Sequence, residues 1–311
     1  MRVLVTGGAG FIGSHIADAL VARGDHVLVV DNLSSGLREN LDSKIRFEQV
    51  DICDFSGLEG VFRNFKPEAV FHLAAHIDLR ESFKDPAHDA QNNIVGSLNL
   101  LKMMSDFDTK KIVFSSTGGA IYGEADKIPT LETYFAIPAS PYGISKLAVE
   151  HYLNVWQKLH GIEYVALRYA NVYGPRQGGK GEAGVTAIFA KKMIKGEPIE
   201  IFGDGEQTRD YVYVADVVAA NLAALEFDGS GVFNIATGVE TNVNEIYGKL
   251  SQLLSYTAPA NPAQAVRGEI SRSALDVSKA KKELGWEPKV SLDSGLELAA
   301  WFFKKENAKS S

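Results

Sequence analysis

Short runs of apolar residues alternate with helical patterns along the first half of the chain. The runs at 2–6, 26–30, 45–50, 69–73, 111–115 and 164–168 are rich in Val, Leu, Ile and Phe, as strands are when both faces of a parallel sheet are covered. Between most of them, apolar residues recur at a helical spacing, over 11–23, 55–65, 86–104 and 141–160. This alternation predicts an α/β fold, a doubly wound parallel sheet with helices on both faces.

The pattern becomes less regular after residue 168. A glycine-rich segment, QGGKGEAG, comes first, and the helices predicted beyond it span 185–195, 215–225, 244–254, 278–284 and 292–305. Short strands are predicted at 199–202, 211–214 and 232–235. We therefore expect two interwoven domains. The first consists of 1–171 with a return segment at about 211–238, and a smaller α/β substrate domain consists of about 172–210 and 239–311.

Composition excludes several classes of protein. The 311 residues are 45% hydrophobic and 23% charged, which is ordinary globular usage, and the net charge of −7 disfavours nucleic acid as the main partner. The single cysteine, Cys53, cannot form an intrachain disulfide, and no metal-ligand spacing is present. Because neither a signal peptide nor a run of ~20 apolar residues is found, we expect a cytoplasmic protein without a membrane partner.

A glycine-rich turn, TGGAGFIG, joins the first predicted strand to the first helix. Gly7, Gly10 and Gly13 fit Gly-x-x-Gly-x-x-Gly, and a second match, Gly-x-Gly-x-x-Gly, begins at Gly8. Glycine lets the backbone turn tightly and approach a pyrophosphate closely. The helix that follows offers free N–H groups and a positive dipole to the phosphates. In this strand–turn–helix context the motif predicts a dinucleotide site in a Rossmann-type sheet.

A carboxylate after the second predicted strand indicates which dinucleotide binds. Asp31 lies 18 residues after Gly13, where a carboxylate accepts hydrogen bonds from the adenosine ribose and repels a 2′-phosphate. Asn32 follows rather than arginine, so NAD is expected rather than NADP. Asp51 and Ile52 follow the third predicted strand and are expected near the adenine.

A tyrosine and a lysine open the helix predicted at 141–160. Ser140 is a favourable N-cap and Pro141 a favourable first helical residue, which places Tyr142 and Lys146 one turn apart on the same face. A neighbouring ammonium stabilises a phenolate, so Tyr142 could act as a base near neutral pH. Thr117 follows the fifth predicted strand, where it could hydrogen-bond a substrate hydroxyl and relay its proton to Tyr142.

Several segments together resemble the extended short-chain dehydrogenase/reductase family: TGGAGFIG, DNLSSG, HLAA, SST, YGISK and RYANVYGPR. Within that family the resemblance is to the UDP-glucose (UDP-galactose) 4-epimerases, and it covers essentially the whole chain. It implies NAD as cofactor, a UDP-sugar as substrate, a homodimer, and 4-epimerisation of a UDP-hexose through a transient 4-keto intermediate. Thr117, Tyr142 and Lys146 would be the catalytic residues.

The resemblance also assigns binding residues. Besides the glycines of the turn, it places NAD contacts at Phe11, Ile12, Asp31, Asn32, Ser35, Gly36, Asp51, Ile52, Leu73, Ala74, Ala75, Asn93, Tyr142, Lys146 and Tyr169. Nucleotide-sugar contacts are implied at Thr117, Asn171, Val185, Phe202, Arg209 and an acid near Glu269. A small residue, Ser273, is expected near the 2-position of the sugar, where a tyrosine would exclude an N-acetyl group.

The segment around Thr117 bears on the type of reaction. Gly118 and Gly119 follow Thr117, where related dehydratases carry an Asp-Glu pair, so epimerisation is favoured over elimination. The turn is one residue longer than in many epimerases, so Ser116 and Thr117 could exchange roles. Arg267 stands one position later than the arginine that usually binds phosphate, which leaves its role open.

Other functions stay open at this point. UDP-N-acetylglucosamine 4-epimerisation is an alternative, and so is UDP-glucuronate decarboxylation, which would need a basic residue near Thr117. A non-catalytic NAD-binding regulator is an alternative of another class, which the intact Thr117, Tyr142 and Lys146 disfavour. The expected homodimer would use the long helices predicted at 86–104 and 141–160, whose extra apolar residues are Leu98, Leu101, Met104, Leu147, Val149 and Leu153.

Overall fold

A computed structural model describes residues 1–178, 184–265 and 270–310 of the chain. Its strands are β1 (Arg2–Thr6), β2 (His26–Val30), β3 (Arg46–Glu48), β4 (Ala69–His72), β5 (Lys111–Thr117), β6 (Glu163–Tyr169), β7 (Asn171–Tyr173), β8 (Glu200–Phe202), β9 (Thr208–Arg209), β10 (Tyr211–Tyr213), β11 (Gly231–Ile235), β12 (Thr241–Asn242) and β13 (Asn261–Ala263). Its α-helices are α1 (Phe11–Ala22), α2 (Phe55–Phe65), α3 (Leu79–Lys84), α4 (Pro86–Ala90), α5 (Gly96–Asp106), α6 (Gly118–Ile121), α7 (Pro141–His160), α8 (Val185–Lys195), α9 (Val214–Glu226), α10 (Val243–Leu254) and α11 (Leu292–Ser310).

Seven strands form the central sheet in the order β11-β6-β5-β4-β1-β2-β3. Every neighbouring pair in it is parallel, which confirms the predicted fold class. Strands β2 and β3 lie on one side of β1, and β4 and the strands that follow it in the sheet lie on the other side. Ligands of such sheets bind beyond the carboxyl ends of the strands, where the strand order reverses. That point lies between β1 and β4.

Two apolar cores cover the two faces of this sheet. One lies under α1 and α9 and includes Ile16, Leu20 and Val217. The other lies under α2, α5 and α7 and includes Phe62 and Leu100. Alternate residues of each central strand enter the two cores, so the strands are apolar throughout, as a sheet buried on both faces requires.

Local signals set the helix ends that matter for the site. The Ser140 side chain accepts a hydrogen bond from the Gly143 amide at 3.1 Å and caps α7, and Pro141 occupies its first turn. Gly161 ends the helix with a φ of 66°, in the left-handed region that favours glycine. The bounds of α7 are those that the sequence predicts.

The helix predicted at 86–104 is interrupted. Helix α4 ends at Ala90, a π-helical turn spans Gln91–Val95, and α5 follows. Within that turn, the Asn93 amide reaches back to the backbone of His76, with 2.7 Å between Asn93 Oδ1 and the His76 amide nitrogen. A π turn is a frequent feature of functional sites. The sequence prediction also missed α3 and α6, and the segment predicted as a helix at 278–284 forms a π turn at Ala280–Leu284.

Four of the six apolar residues expected at a dimer interface lie in the core instead. They are buried beneath α5 and α7: Leu101, Met104, Val149 and Leu153. Because they are buried within one chain, the prediction that these four residues form a dimer interface is wrong. The large apolar side chains that α7 and the adjoining π turn do expose are Val95, Ile144, Tyr152, Val155 and Leu159.

The remaining elements pack against the third core, beside the carboxyl ends of the sheet. It is formed largely by α8, α10 and α11, and three two-stranded pairs accompany it: β10 with β7, β12 with β9, and β13 with β8. No helix in the described residues is long and apolar enough to cross a membrane. Within the same residues, His, Cys, Asp and Glu side chains form no cluster of three or more that could hold a metal ion.

Candidate active site

Two adjoining cavities open where the strand order reverses. The larger, of about 420 Å³, lies over the ends of β1, β2 and β4. The smaller, of about 300 Å³, extends from the glycine turn to the end of β5 and the start of α7. Both are lined by Gly7, Gly10, Leu73 and Ile77, so the two form one continuous cleft.

The glycine turn is packed so closely that side chains are excluded from it. A Cβ on Gly7 would lie 2.5 Å from the Ala74 amide nitrogen, and Gly7 also has a φ of 68°. On Gly13, a Cβ would lie 2.3 Å from the Gly7 carbonyl oxygen. Helix α1 starts at this turn with no side-chain cap and no acidic residue in its first turn. Its first amide groups therefore point into the cleft without a side-chain partner, as a phosphate site requires.

Asp31 lies at the end of β2 and lines the larger cavity. Its carboxylate accepts hydrogen bonds from the amides of Ala9 (3.0 Å) and Leu33 (2.8 Å). Burial raises the pKa of Asp31, although these two bonds act in the opposite direction. A carboxylate has about four acceptor positions, so two remain for ribose hydroxyls. Among the described residues that line this cavity, none is Lys or Arg, which agrees with a site for NAD rather than for its 2′-phosphorylated form.

Asp51 and Asn32 line the same cavity as a pair. The Asn32 side-chain amide donates to Asp51 at 2.8 Å, and the Cys53 amide donates to the other carboxylate oxygen at 2.7 Å. Both acceptor atoms are thereby fixed at the edge of the cavity where the adenine is expected.

Most of the predicted NAD contacts line one cavity or both. They are Gly7, Gly10, Phe11, Ile12, Gly13, Asp31, Asn32, Ser35, Asp51, Ile52, Leu73, Ala74, Ala75, Tyr142, Lys146 and Tyr169. Gly36 and Asn93 line neither. A Cβ on Gly36 would lie 2.9 Å from Asp31 Oδ2, so this glycine makes room for the carboxylate. Asn93 is buried and supports the chain at His76.

Tyr142 and Lys146 lie at the inner end of the smaller cavity. The Lys146 Nζ atom is 5.9 Å from the centre of the Tyr142 ring and 4.8 Å from that of Phe114. It donates a hydrogen bond to the Ser115 carbonyl oxygen at 2.8 Å. Burial lowers the pKa of Lys146 to about 8, although Asp89 and Glu150 oppose this effect.

The two hydroxyls at the end of β5 have different surroundings. Ser116 is buried and donates its hydroxyl proton to Glu150 at 2.6 Å. Thr117 points to the other side of the strand, because side chains alternate along it, and it lines the smaller cavity. Within the described part of the chain, its hydroxyl has no hydrogen-bond partner. The geometry thus favours Thr117 over Ser116 as the hydroxyl that can contact a substrate.

The predicted sugar-nucleotide contacts are more dispersed. Asn171 lines the smaller cavity, whereas four others line neither cavity: Val185, Phe202, Arg209 and Ser273. The Arg80 guanidinium lies 5.6 Å from the centre of the Phe202 ring, and Arg209 Nη1 donates to the Thr208 carbonyl oxygen at 2.8 Å. Glu269 and Arg267 lie outside the described residues.

Several lining residues were missed by the sequence analysis. The segment directly after β4 continues along the larger cavity with His76, Ile77, Asp78 and Glu81. Its position beyond a strand end, together with the N-cap signal of Asp78 three residues before Glu81, could have indicated it. Ser115 and Gln177 line the smaller cavity.

A buried polar network behind the cleft was also missed. His72, fully buried at the end of β4, is bonded to the Thr6 hydroxyl at 2.7 Å and to the Ser97 hydroxyl at 2.8 Å. Burial, with a smaller contribution from the Lys146 ammonium, lowers the pKa of His72 to about 3. The ring is therefore neutral at physiological pH, and it links the end of β4 to Thr6 on β1 and to Ser97 on α5.

Comparisons with known proteins show the family of the chain. The profile of the NAD dependent epimerase/dehydratase family matches residues 3–236. A UDP-glucose 4-epimerase of Mycolicibacterium smegmatis is 43% identical over 315 residues, which cover 99% of this chain and 100% of that protein.

Two solved structures are similar over nearly their full length. The Thermotoga maritima UDP-glucose 4-epimerase with UDP-glucose has a TM-score of 0.97 and 51% identity, and the match covers 99% of this chain and 100% of that one. The Thermus thermophilus UDP-glucose 4-epimerase in complex with NAD has a TM-score of 0.93 and 43% identity, with coverages of 98% and 99%.

Proposed function

The chain belongs to the NAD-dependent epimerase/dehydratase family, and we propose that it interconverts UDP-glucose and UDP-galactose by epimerisation at C4. It is an NAD-dependent isomerase. The observation that carries the choice of reaction is the lining of the smaller cavity, where Thr117, Tyr142 and Lys146 meet and no carboxylate lines the wall among the described residues. Elimination of water would need an acid there.

The residues of the cleft account for binding of the cofactor. The amides at the start of α1 suit the pyrophosphate, and Asp31 suits the hydroxyls of the adenosine ribose. The chemistry that bound NAD supplies is reversible oxidation at C4 of the sugar. Because the reaction ends at the same oxidation level as it starts, the cofactor should remain bound through each turnover.

Tyr142 handles the proton of the C4 hydroxyl. Its phenolate takes this proton, directly or through the Thr117 hydroxyl, as the 4-keto sugar forms, and returns it when the alcohol forms again on the other face. The Lys146 ammonium stabilises the phenolate. Arg209 is proposed to hold the pyrophosphate of UDP, since a guanidinium matches phosphate oxygens. With UDP held and the sugar free to turn, one base can serve both faces.

The alternative reactions fit the cleft less well. Decarboxylation of UDP-glucuronate needs a cation for the substrate carboxylate, and the only one that lines the smaller cavity among the described residues is Lys146, whose ammonium is bonded to Ser115. A non-catalytic NAD-binding regulator would have no need of Thr117, Tyr142 and Lys146 together at the inner end of the cleft.

A turnover assay tests the proposal. The purified protein is incubated with UDP-galactose, and formation of UDP-glucose is followed without added cofactor. We expect conversion in both directions, and NAD as the nucleotide released on denaturation. Absence of conversion by a protein that retains NAD would exclude the proposed function, and NADP as the main released nucleotide would exclude the role of Asp31.

We also propose that two copies of the chain associate, in the cytoplasm, through α7 and the adjoining π turn. Ile144, Tyr152, Val155 and Leu159 recur at helical spacing along the exposed face of α7, and Leu159 is 70% exposed. Such a stripe on one helix is typical of a helix–helix interface.

Light scattering should give a dimer at micromolar concentration. Val155→Glu with Leu159→Glu should give a monomer, and a wild-type monomer would contradict the proposal.

A further inference from the structure

Lys146 is a cation held out of water. Its side chain is 3% exposed, and its ammonium donates one hydrogen bond, to the Ser115 carbonyl oxygen at 2.8 Å. A buried ammonium is costly unless an opposite charge lies close to it. The charged or titratable groups that face it come from four elements: Tyr142 and Glu150 on α7, Asp89 on α4, His72 on β4, and Arg168 on β6 through its pair with Glu150.

Glu150 is already neutralised by another residue. Its carboxylate accepts Arg168 Nε at 3.0 Å and Arg168 Nη2 at 2.6 Å, in addition to the Ser116 hydroxyl. Both members of this ion pair are buried, with side chains 5% and 7% exposed. His72 is uncharged at neutral pH, as its depressed pKa indicates. Glu150 therefore supports the charge of Lys146 less than Asp89 does, and His72 does not support it at all.

Of the carboxylates that face Lys146 in the described part of the chain, the second is Asp89. Its side chain is fully buried and accepts hydrogen bonds from the Ser145 hydroxyl at 2.6 Å and from the Asn93 amide at 3.0 Å. Among the described residues, the basic group within 4.0 Å of it is His76 Nδ1, at 3.8 Å, on a ring that carries charge only when protonated. Ser145 precedes Lys146 on α7, so this hydroxyl fixes the carboxylate relative to the turn of helix that carries the lysine.

We propose that Asp89 is a positioning residue, whose carboxylate is the counter-charge that keeps the Lys146 ammonium protonated beside Tyr142. Tyr142 and Lys146 titrate as a coupled pair. When one proton remains between them, it resides on the lysine in the active form and on the phenol in the inactive form. Asp89 is packed against the lysine turn, so its charge favours the active form. As a mechanism, this inference rests on the proposed epimerase function.

Asp89→Asn removes the charge and keeps the shape. Without the anion, the Tyr142–Lys146 pair loses its first proton at lower pH, so the acid limb of the pH–rate profile moves to lower pH. The second proton then resides on Tyr142 in a larger fraction of the molecules. The plateau value of kcat therefore falls, and raising the pH does not restore it. A one-unit change in the relative pKa of the two groups corresponds to a change of about tenfold in their proton distribution. We therefore expect kcat at the plateau to fall, by up to about tenfold for each unit of that change.

The phenolate itself is the second readout, and it needs no substrate. The ultraviolet absorbance of tyrosinate is titrated in the NAD-bound protein, and the same titration of Tyr142→Phe is subtracted. Wild type should show a phenolate step below the ordinary tyrosine pKa of about 10, and Asp89→Asn should lose most of it. Asp89→Glu keeps the charge and should retain the step. Asp106→Asn removes an exposed carboxylate at the end of α5 and should match wild type.

An unchanged phenolate step and acid limb in Asp89→Asn would overturn the proposal, and so would equal loss of the step in Asp89→Glu. If Asp89→Asn does not fold, the same titration is made on Ser145→Ala, which releases the carboxylate from α7. A smaller phenolate step in that variant supports the proposal, and an unchanged one overturns it. A wild-type step without UDP-galactose turnover would instead overturn the proposed function and leave the role of Asp89 standing.

Discussion

Glu150→Gln should destabilise the fold far more than the loss of an exposed carboxylate. Glu150 accepts three hydrogen bonds, one from Ser116 and two from Arg168. Glutamine has a similar shape, but it has one acceptor oxygen and no charge. The Arg168 guanidinium would remain buried without its counter-charge, which is the costly way to break such a pair.

The magnitude follows from the burial of the two side chains. Removing one partner of a buried ion pair costs about 3–5 kcal/mol, and with exposures of 5% and 7% this pair belongs to that class. The exposed pair Arg63–Glu59 is the matched control, with exposures of 68% and 43% at the same kind of carboxylate–guanidinium contact. Glu59→Gln should cost about 0.3–0.5 kcal/mol.

Urea unfolding, followed by circular dichroism, measures both changes. NAD is kept at the same saturating concentration throughout, because a ligand of the folded state stabilises it by mass action. The double variant Glu150→Leu with Arg168→Met removes both charges and should recover more than half of the loss. A loss below about 1 kcal/mol for Glu150→Gln, or a double variant as unstable as the single one, would show that Arg168 does not need Glu150 as its counter-charge.

Three further predictions concern single side chains. Tyr142→Phe removes the base and should lower turnover roughly 10²–10⁴-fold, which corresponds to a barrier higher by about 3–5 kcal/mol. The amount of retained NAD should not change. Steady-state kinetics check this, and turnover within about threefold of wild type would contradict it. His72 has a pKa of about 3 in the folded state, so between pH ~6.5 and that value only the unfolded state takes up the proton, and stability falls as the pH is lowered. His72→Gln should reduce the loss of unfolding free energy between pH 7 and pH 5 by about 2 kcal/mol. If urea titrations show the same dependence of stability on acid pH in this variant, the ring is not buried in its neutral form. The family resemblance implies that Ser273 lies near the 2-position of the sugar, and we therefore expect activity on UDP-N-acetylglucosamine as well. Ser273→Tyr should reduce this activity relative to that on UDP-glucose, and an unchanged ratio of the two rates would show that this residue is not the determinant.

The sheet and the cofactor half of the cleft could be predicted from the sequence because their signals are local. Apolar runs mark the strands. Only glycine fits at Gly7 and Gly13, because a Cβ would meet the backbone of Ala74 at the first position and the carbonyl oxygen of Gly7 at the second. Asp31 follows β2 directly, so its place is set by the strand end. Ser140 and Pro141 give the start of α7 and with it the spacing of the Tyr-Lys pair.

The buried charges could not be found in this way, because their partners lie far apart along the chain. Asp89 and Ser145 are 56 positions apart, and Ser116 and Glu150 are 34 apart. Residues of these types usually lie exposed on helices or at strand ends, so none of them alone indicates a buried polar contact. The π turn at Gln91–Val95 escaped prediction for a similar reason, since Asn93 bonds with the backbone 17 positions earlier. The dimer residues were misassigned because helical spacing alone does not tell which face the sheet covers.

The edge strand β11 has a consequence for how the chain can be made and divided. It pairs with β6, yet it is synthesised more than 60 residues after β6 ends, after the segment with Phe202 and Arg209. At a ribosomal rate of ~5–20 residues per second, β6 remains an open edge for roughly 3–12 s, exposed to pairing with other chains. A fragment that stops after β7 would keep that open edge permanently. Separate expression of a cofactor-binding half would therefore need residues 231–235 grafted back beside β6.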